Sequence, residues 1–212
     1  PCKPRVEDCT CRRGVLALLR ARHVGAGSFL ARRAPPGARR PPPSSMRILV
    51  VSLELVTAPF SGNGVLAAAQ AGALAAAGHT VCVLSAAPAG AARGEPPALC
   101  RAVEVGVPRE AWGRLDASGP WREFASGAAD AATTIAAAPP DIVLAVDWTG
   151  WLAAAALKAA RPDAFAQVPV LFAAFRVHSR TDGAAAVMDA ETGAMRGAAA
   201  AAALCAADAG AL

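Results

Sequence analysis

The chain has 212 residues, of which 55% are hydrophobic, and a formal net charge of +5. Much of the hydrophobic fraction is alanine, and no run of 18 or more strongly apolar residues is present, which excludes a membrane-spanning helix. The positive charge is concentrated in residues 1–45, which hold ten Lys/Arg and two acids. Residues 46–212 hold eleven Lys/Arg and fourteen acids, a net charge of −3, so nucleic-acid binding by a folded basic surface is not expected.

Residues 1–45 are rich in Arg, Pro and Gly and are expected to be disordered or to act as a targeting segment. The first residue is proline, which indicates a processed chain or a fragment, and sequence ahead of a true start at Met46 is the alternative. The expected location is cytoplasmic, or a plastid or another organelle if this segment is a transit peptide. Cys9 and Cys11 are too close for an ordinary zinc pair, so no metal site is expected. Cys82 falls within an apolar strand, which favours a buried free thiol.

From Met46 onward, strand-like and helix-like segments alternate over short connections. The predicted strands are Arg47–Ser52, 80–85, 101–107, 141–147 and 168–175, with a sixth opening near 203–206. The predicted helices are 64–77, 121–138, 150–160 and 184–201. This alternation predicts an α/β fold with a parallel sheet, in which ligands bind beyond the carboxyl ends of the strands. The residues after Ser52, Val146 and Phe175 are therefore expected at one edge.

Gly62-Asn63-Gly64 precedes the first predicted helix and fits the pattern G-x-G-x-x-G/A with Ala67. Nine residues separate the strand from the first glycine, and the second strand ends on Ser85 rather than on an acid, which argues against a dinucleotide site. No Gly-Lys-Ser/Thr follows, so a P-loop is excluded. Two interpretations remain: the glycines leave backbone amides open to an anion, or they relieve a crowded turn.

The stretch from Met46 to Ser85 resembles the opening of the family 4 retaining glycosyltransferases, the group that includes starch, glycogen and sucrose synthases. The family pattern is a strand, Ser-x-Glu, a proline, a glycine pair, a helix and Gly-His-x-Val. The matching residues are Ser52, Glu54, Pro59, Gly62-Asn63-Gly64 and Gly78-His79-Thr80-Val81. Asp147-Trp148 matches the end of the family's His-Asp-Trp after the fourth strand, with valine in place of the histidine. The resemblance extends over residues 46–212.

This resemblance implies the GT-B architecture, in which two Rossmann-like domains, each a parallel sheet with helices on both faces, face each other across a cleft. Residues 46–212 would form the N-terminal, acceptor-side domain, and the C-terminal domain, which holds most of the donor, would be absent. Gly62, Asn63 and Gly64 would then approach the donor phosphates. Glu54 either orients this loop or is solvated.

Four further residues are candidates for acceptor or sugar binding: Asp147, Trp148, Arg176 and His178. The alternatives are a cap for the helix at 150–160 for Asp147, core packing for Trp148, a surface ion pair for Arg176 and a solvent-facing position for His178. No catalytic residue is assigned.

The favoured function is therefore the N-terminal part of a glycosyltransferase that moves a sugar from a nucleotide-sugar to a glycan or other acceptor. The chain is expected to be inactive alone, because one wall of a cleft cannot position both substrates. The expected partners are the nucleotide-sugar, the acceptor and the missing C-terminal domain, with no cofactor, no nucleic acid and no stable membrane insertion. The alternatives are a non-catalytic nucleotide- or phosphate-binding module and half of a dinucleotide-dependent oxidoreductase.

Overall fold

A computed structural model describes residues 45–55, 57–114, 119–175 and 185–203. Six parallel strands form one sheet in the order β3-β2-β1-β4-β5-β6. The strands are β1 (Arg47–Ser52), β2 (Thr80–Pro88), β3 (Cys100–Val107), β4 (Ile142–Val146), β5 (Val170–Ala174) and β6 (Ala200–Ala203). The helices are α1 (Gly62–Ala76), α2 (Trp121–Ala136), α3 (Asp147–Ala160), the short α4 (Pro162–Phe165) and α5 (Ala185–Gly197), with a 3₁₀ turn at Arg109–Ala111. The predicted parallel α/β sheet is thus confirmed.

Several boundaries differ from those predicted. Helix α1 begins at Gly62, two residues earlier than predicted, because Ser61 caps it. Helix α3 begins directly at Asp147, which was predicted to end the fourth strand. Strand β6 lies at Ala200–Ala203 rather than near 203–206. Residues 197–203 are glycine and alanine only, and such a run has no hydrophobic period that would separate helix from strand.

The two faces of the sheet are covered by different helices. On one face, alternate residues of β1 and β2 pack against α1, whose small residues Ala67, Ala71 and Ala75 form a stripe at helical spacing. On the other face, Leu49 and Val51 belong to a cluster that includes Phe124 of α2 and Leu157 of α3. Strand β1 is buried on both faces after Arg47, which explains its continuous apolar sequence.

The described cysteines lie toward the β3 edge of the sheet. Cys82 on β2 and Cys100 on β3 are both partly buried free thiols. Desolvation on burial raises the pKa of the Cys82 thiol above its ordinary value. The prediction of a free thiol at Cys82 is confirmed, although its burial is incomplete.

Strand β1 marks the point where the chain changes direction across the sheet. It pairs with β2 on one side and with β4 on the other, so the connections that leave β1 and β4 diverge to opposite faces. Such divergence opens a crevice at the carboxyl ends of the two strands, where α/β sheets bind ligands.

Candidate functional site at the carboxyl ends of β1 and β4

A cavity of about 340 Å³ lies in this crevice. Its lining comes from the loop after β1, the start of α1, the start of α3 and the residue after β5. The lining residues are Ser52, Leu53, Glu54, Ser61, Gly62, Asn63, Val146, Asp147, Trp148, Thr149 and Phe175. The predicted edge therefore contains the glycine turn, Asp147 and Phe175 together.

The carboxylate of Glu54 organises the loop that leads to the glycine turn. Only 3% of Glu54 is exposed. One carboxylate oxygen accepts hydrogen bonds from the backbone N–H groups of Phe60 and Ser61, each at 2.8 Å, and the other accepts from the Ser61 hydroxyl. The Ser52 hydroxyl donates to the Glu54 carbonyl at 2.7 Å, which fixes the start of the same loop. Of the two interpretations of Glu54, the orienting one is confirmed.

A second attachment holds this loop against the β3 edge of the sheet. Thr57 is buried, and its hydroxyl donates to the Glu104 carboxylate on β3 and accepts from the Gly94 N–H at 2.9 Å. The Arg93 guanidinium lies 3.7 Å from the other Glu104 oxygen. The loop after β1 is thus held at its start by Ser52, at its middle by Thr57 and at its end by Glu54.

The two glycines of the turn have different structural roles. Gly62 is exposed, and a Cβ placed there would meet nothing within 4 Å. Gly64 is buried, and its Cβ would lie 3.1 Å from Pro59 Cβ and 3.2 Å from the Leu55 carbonyl oxygen. Gly64 therefore relieves a crowded turn, whereas Gly62 does not, and the access of an anion to the Gly62 backbone stays a prediction.

The amides of the first turn of α1 are only partly satisfied by side chains. The N-cap Ser61 accepts a hydrogen bond from the Asn63 N–H at 3.1 Å, as serine does at helix starts. Glu54 takes the two amides before Gly62. The first amides of a helix have no partner within it, and in the described ranges no side chain accepts from Gly62 or Gly64. Of these two residues, Gly62 is exposed and Gly64 is buried.

Asp147 joins three loops at the centre of the site. It is 4% exposed and has a backbone φ of 53°, the left-handed conformation that Asp and Asn adopt more readily than most other residues. Its carboxylate accepts from the side-chain amide of Asn63 and, at 2.7 Å, from the backbone N–H of Phe175. The interpretation of Asp147 as a cap for a helix at 150–160 is wrong, because α3 already starts at Asp147 and its N-cap is Val146.

Gly150 explains how α3 can start so close to the sheet. A Cβ at this position would lie 2.4 Å from the Val51 carbonyl oxygen of β1, closer than any side-chain carbon is found to such an atom. Glycine here lets the first turn of α3 pass directly over β1, which places Asp147 opposite Asn63.

Of the three remaining candidates, Trp148, Arg176 and His178, one lies among the described residues. Trp148 lines the cavity but is only 2% exposed, with its ring edge-to-face with Trp121 at 5.5 Å between centroids. Its role in sugar binding stays a prediction. Arg176 and His178 lie outside the described residues. Among the polar lining residues, two were not predicted: Ser61, which the pattern of a serine before a helix start indicates, and Thr149, which no sequence signal indicates.

The described residues contain neither a cluster of metal ligands nor a helix that could span a membrane. No three His, Cys, Asp or Glu side chains lie together as a metal site would require. In the same part of the chain, no helix has the length and apolar character needed to cross a bilayer.

A parallel sheet of this strand order, with a polar crevice where the connections diverge, defines a Rossmann-like α/β domain. More specifically, the chain belongs to the glycosyl transferase 4-like family, because the model of the glycosyl transferase 4-like domain matches residues 61–212. The family match and the parallel α/β sheet agree with the sequence prediction of a Rossmann-like domain related to the family 4 glycosyltransferases.

Among solved structures, the catalytic domain of starch synthase IV from Arabidopsis thaliana, bound to ADP and acarbose, is similar in fold. The TM-score is 0.50 at 15% sequence identity, and the match covers 63% of this chain. It covers 34% of that chain, so this protein spans about a third of the length of the starch synthase structure. A search of curated proteins found no match.

Proposed function

We propose that this domain forms the acceptor-side wall of a glycosyltransferase that moves a sugar from a nucleotide-sugar donor to a glycan or other acceptor. In this proposal the turn Gly62–Asn63–Gly64 meets the donor phosphates. One observation carries it: Gly62 is an open, exposed glycine at the start of a 15-residue helix, at the crevice of the sheet. A helix start favours negative charge, and the missing side chain lets a phosphate oxygen approach the backbone.

The similarity to starch synthase IV adds support for this ligand class. That protein was solved with ADP, a nucleoside diphosphate, and with acarbose. A departing diphosphate gains negative charge during sugar transfer, and fixed amide dipoles stabilise such charge without reorganising. Asn63 is held in place for this role by Ser61 at its backbone and by Asp147 at its side chain.

The negative charges near the glycine turn are expected to weaken nucleotide binding by this domain alone. Glu54 and Asp147 are buried carboxylates that line the same cavity. The negative charge of a carboxylate such as that of Glu54 opposes a diphosphate, so cations from a second domain are expected to be needed for tight donor binding. We therefore expect weak nucleotide binding and no sugar transfer by the isolated chain.

The experiment is a titration of the ¹⁵N-labelled chain with ADP and with UDP, followed by amide chemical shifts. We expect the Gly62 and Asn63 amides to shift, and the shifts to be reduced in Gly62→Ala. The control is Gly193→Ala, since Gly193 is also a helical glycine with open space around it. Shifts confined to other regions, or equal shifts in both variants, would contradict the phosphate assignment.

A second measurement tests the reaction. The chain is incubated with a panel of nucleotide-sugars and glycans, with and without a separately produced C-terminal domain from a glycosyltransferase of the same family. Sugar transfer only in the mixture would support the proposal. Sugar transfer by the chain alone would contradict the prediction that this domain is inactive without a second domain. Nucleotide binding at Gly62 without transfer in either case would favour the non-catalytic binding module.

A further inference from the structure

Aromatic side chains form a rim beside the cavity that the phosphate proposal does not use. Phe60, immediately before the lining residue Ser61, packs edge-to-face against Trp112, with ring centroids 5.2 Å apart and an interplanar angle of 87°. Trp121, at the start of α2, packs against the lining residue Trp148. We name the residues Phe60, Trp112, Trp121 and Arg122 the aromatic rim.

The rings of this rim are fixed in orientation yet remain partly accessible. The Trp112 indole N–H donates to the Ala58 carbonyl at 2.8 Å, which ties the ring to the loop before the glycine turn. Phe60, Trp112 and Trp121 are all only half-buried. Large aromatic surfaces left partly exposed next to a polar cavity are typical of ligand sites, in which apolar area provides binding energy and a few polar groups give orientation.

Arg122 adds hydrogen-bond donors to this surface. Its guanidinium carbon lies over the Trp121 ring, 4.5 Å from the ring centroid, which is a cation–π contact. The guanidinium has five N–H donors, of which stacking uses none. An exposed, oriented guanidinium of this kind can donate to ligand hydroxyl oxygens.

The charge around the rim favours a neutral ligand. The described residues 108–114 and 119–123 hold three arginines and two acids, a net charge of only +1. A surface for an anionic polymer would need an excess of basic residues. The sugar rings of neutral oligosaccharides have apolar faces and many hydroxyl groups. Such rings suit a surface of aromatic side chains with adjacent hydrogen-bond donors and little net charge.

We infer that the aromatic rim is a binding subsite for a neutral oligosaccharide, which extends from the cavity across Phe60 and Trp112 toward Trp121 and Arg122. The inference rests on the proposed function, because the oligosaccharide would be the acceptor whose end enters the cavity. In this inference the aromatic rim binds the part of the acceptor that does not react. The binding energy gained there helps to position the reacting end of the acceptor in the cavity.

The test is binding of maltoheptaose, cellohexaose and chitohexaose to the ¹⁵N-labelled chain, followed by the side-chain indole N–H signals. At least one oligosaccharide should shift the Trp112 and Trp121 signals. Trp112→Leu should weaken that binding about tenfold, which corresponds to ~1.4 kcal/mol. The control is Trp151→Leu, because the Trp151 ring lies against Gly197 of α5 and does not line the cavity.

A second pair of variants avoids the risk that loss of a tryptophan disturbs folding. Arg122→Ala removes an exposed side chain and should weaken binding about threefold, while Arg196→Ala, exposed in the last turn of α5, should leave it unchanged. Wild-type affinity in both folded Trp112→Leu and Arg122→Ala would overturn the inference, as would the absence of binding by all three oligosaccharides. The ADP-induced shifts at Gly62 should persist in these variants, so failure here is distinguishable from failure of the phosphate assignment.

Discussion

Asn63 and Asp147 lie 84 residues apart in the chain, and the side-chain amide of Asn63 donates directly to the Asp147 carboxylate. This hydrogen bond connects the loop after β1 to the start of α3 at the centre of the cavity. Because the bond is partly buried and involves a charged acceptor, its loss should exceed the cost of an ordinary surface hydrogen bond.

A double-mutant cycle measures that connection. Asp147→Asn keeps a side chain that tolerates the left-handed backbone but weakens acceptance from both Asn63 and Phe175, and should cost about 1–3 kcal/mol in the free energy of unfolding. Combined with Asn63→Ala, the two changes should couple by about 0.5–3 kcal/mol in urea unfolding. Strictly additive effects would show that the two loops are held independently.

Glu54→Gln tests whether the loop depends on a carboxylate. The glutamine retains one acceptor oxygen and presents an NH₂ group where the native residue accepts, so at least one loop donor loses its partner. We expect a loss of about 1–3 kcal/mol in stability and faster hydrogen exchange at the Phe60 and Ser61 amides. Glu95→Gln is the matched control, since Glu95 is exposed, and equal stability of the two variants would contradict the role assigned to Glu54.

Gly150→Ala should be among the most destabilising single substitutions in the domain. The added methyl group must displace either α3 or the β1 backbone, because the Val51 carbonyl oxygen occupies its position. A loss of about 3 kcal/mol is expected in urea or thermal unfolding. Gly193→Ala should instead be neutral or stabilise by about 0.5–1 kcal/mol, since alanine favours the helix and nothing obstructs it.

The pH dependence of stability should include a contribution from Asp141. The Arg47 backbone N–H donates to this carboxylate at 2.7 Å and the Arg47 guanidinium at 3.2 Å, and these contacts lower the pKa of Asp141 in the folded protein. A lowered folded-state pKa stabilises the fold above the unfolded-state value of about 3.9, and the contribution is lost as the pH falls through the folded-state value. Asp141→Asn should therefore lower the urea midpoint more at pH 6 than at pH 3.

The comparison for Asp141 is Asp130→Asn, an exposed carboxylate on α2. Its effect on the urea midpoint should be small, because the Asp130 side chain is exposed. If Asp141→Asn shows the same difference at pH 6 and pH 3, the hydrogen bonds from Arg47 do not contribute to the pH dependence.

The sequence was most informative where apolar residues follow one another without interruption. Strand β1 was predicted at its observed bounds because both of its faces are buried, and the matching strands made the parallel sheet predictable. The alanine-rich segments gave less precise boundaries, since alanine is compatible with helix and strand burial alike. The start of α3 was missed because Asp147 begins a helix in a left-handed conformation, which depends on its contacts with Asn63 and Phe175 rather than on local propensity.

The positions of the glycine turn and Asp147 at the sheet edge were predictable, but their contacts were not. The glycine turn and Asp147 were expected at one edge, and they are there. The different roles of Gly62 and Gly64 depend on where Pro59 and Leu55 lie, and the roles of Glu54 depend on the path of a nine-residue loop. Long-range packing sets these contacts, and a single sequence does not encode them in a local pattern.

The arrangement of Asp147 also dictates an order of events during synthesis. Its two acceptor oxygens are satisfied by a residue made 84 positions earlier and by one made 28 positions later. The crevice therefore cannot form completely until β5 and Phe175 have been synthesised. Until Asp147 has been synthesised, after β2, β3 and β4, the Asn63 side chain lacks this hydrogen-bond acceptor. Nascent chains arrested before Phe175 should consequently hold β1 and β2 without a competent crevice, which makes ligand binding a late marker of assembly in this protein.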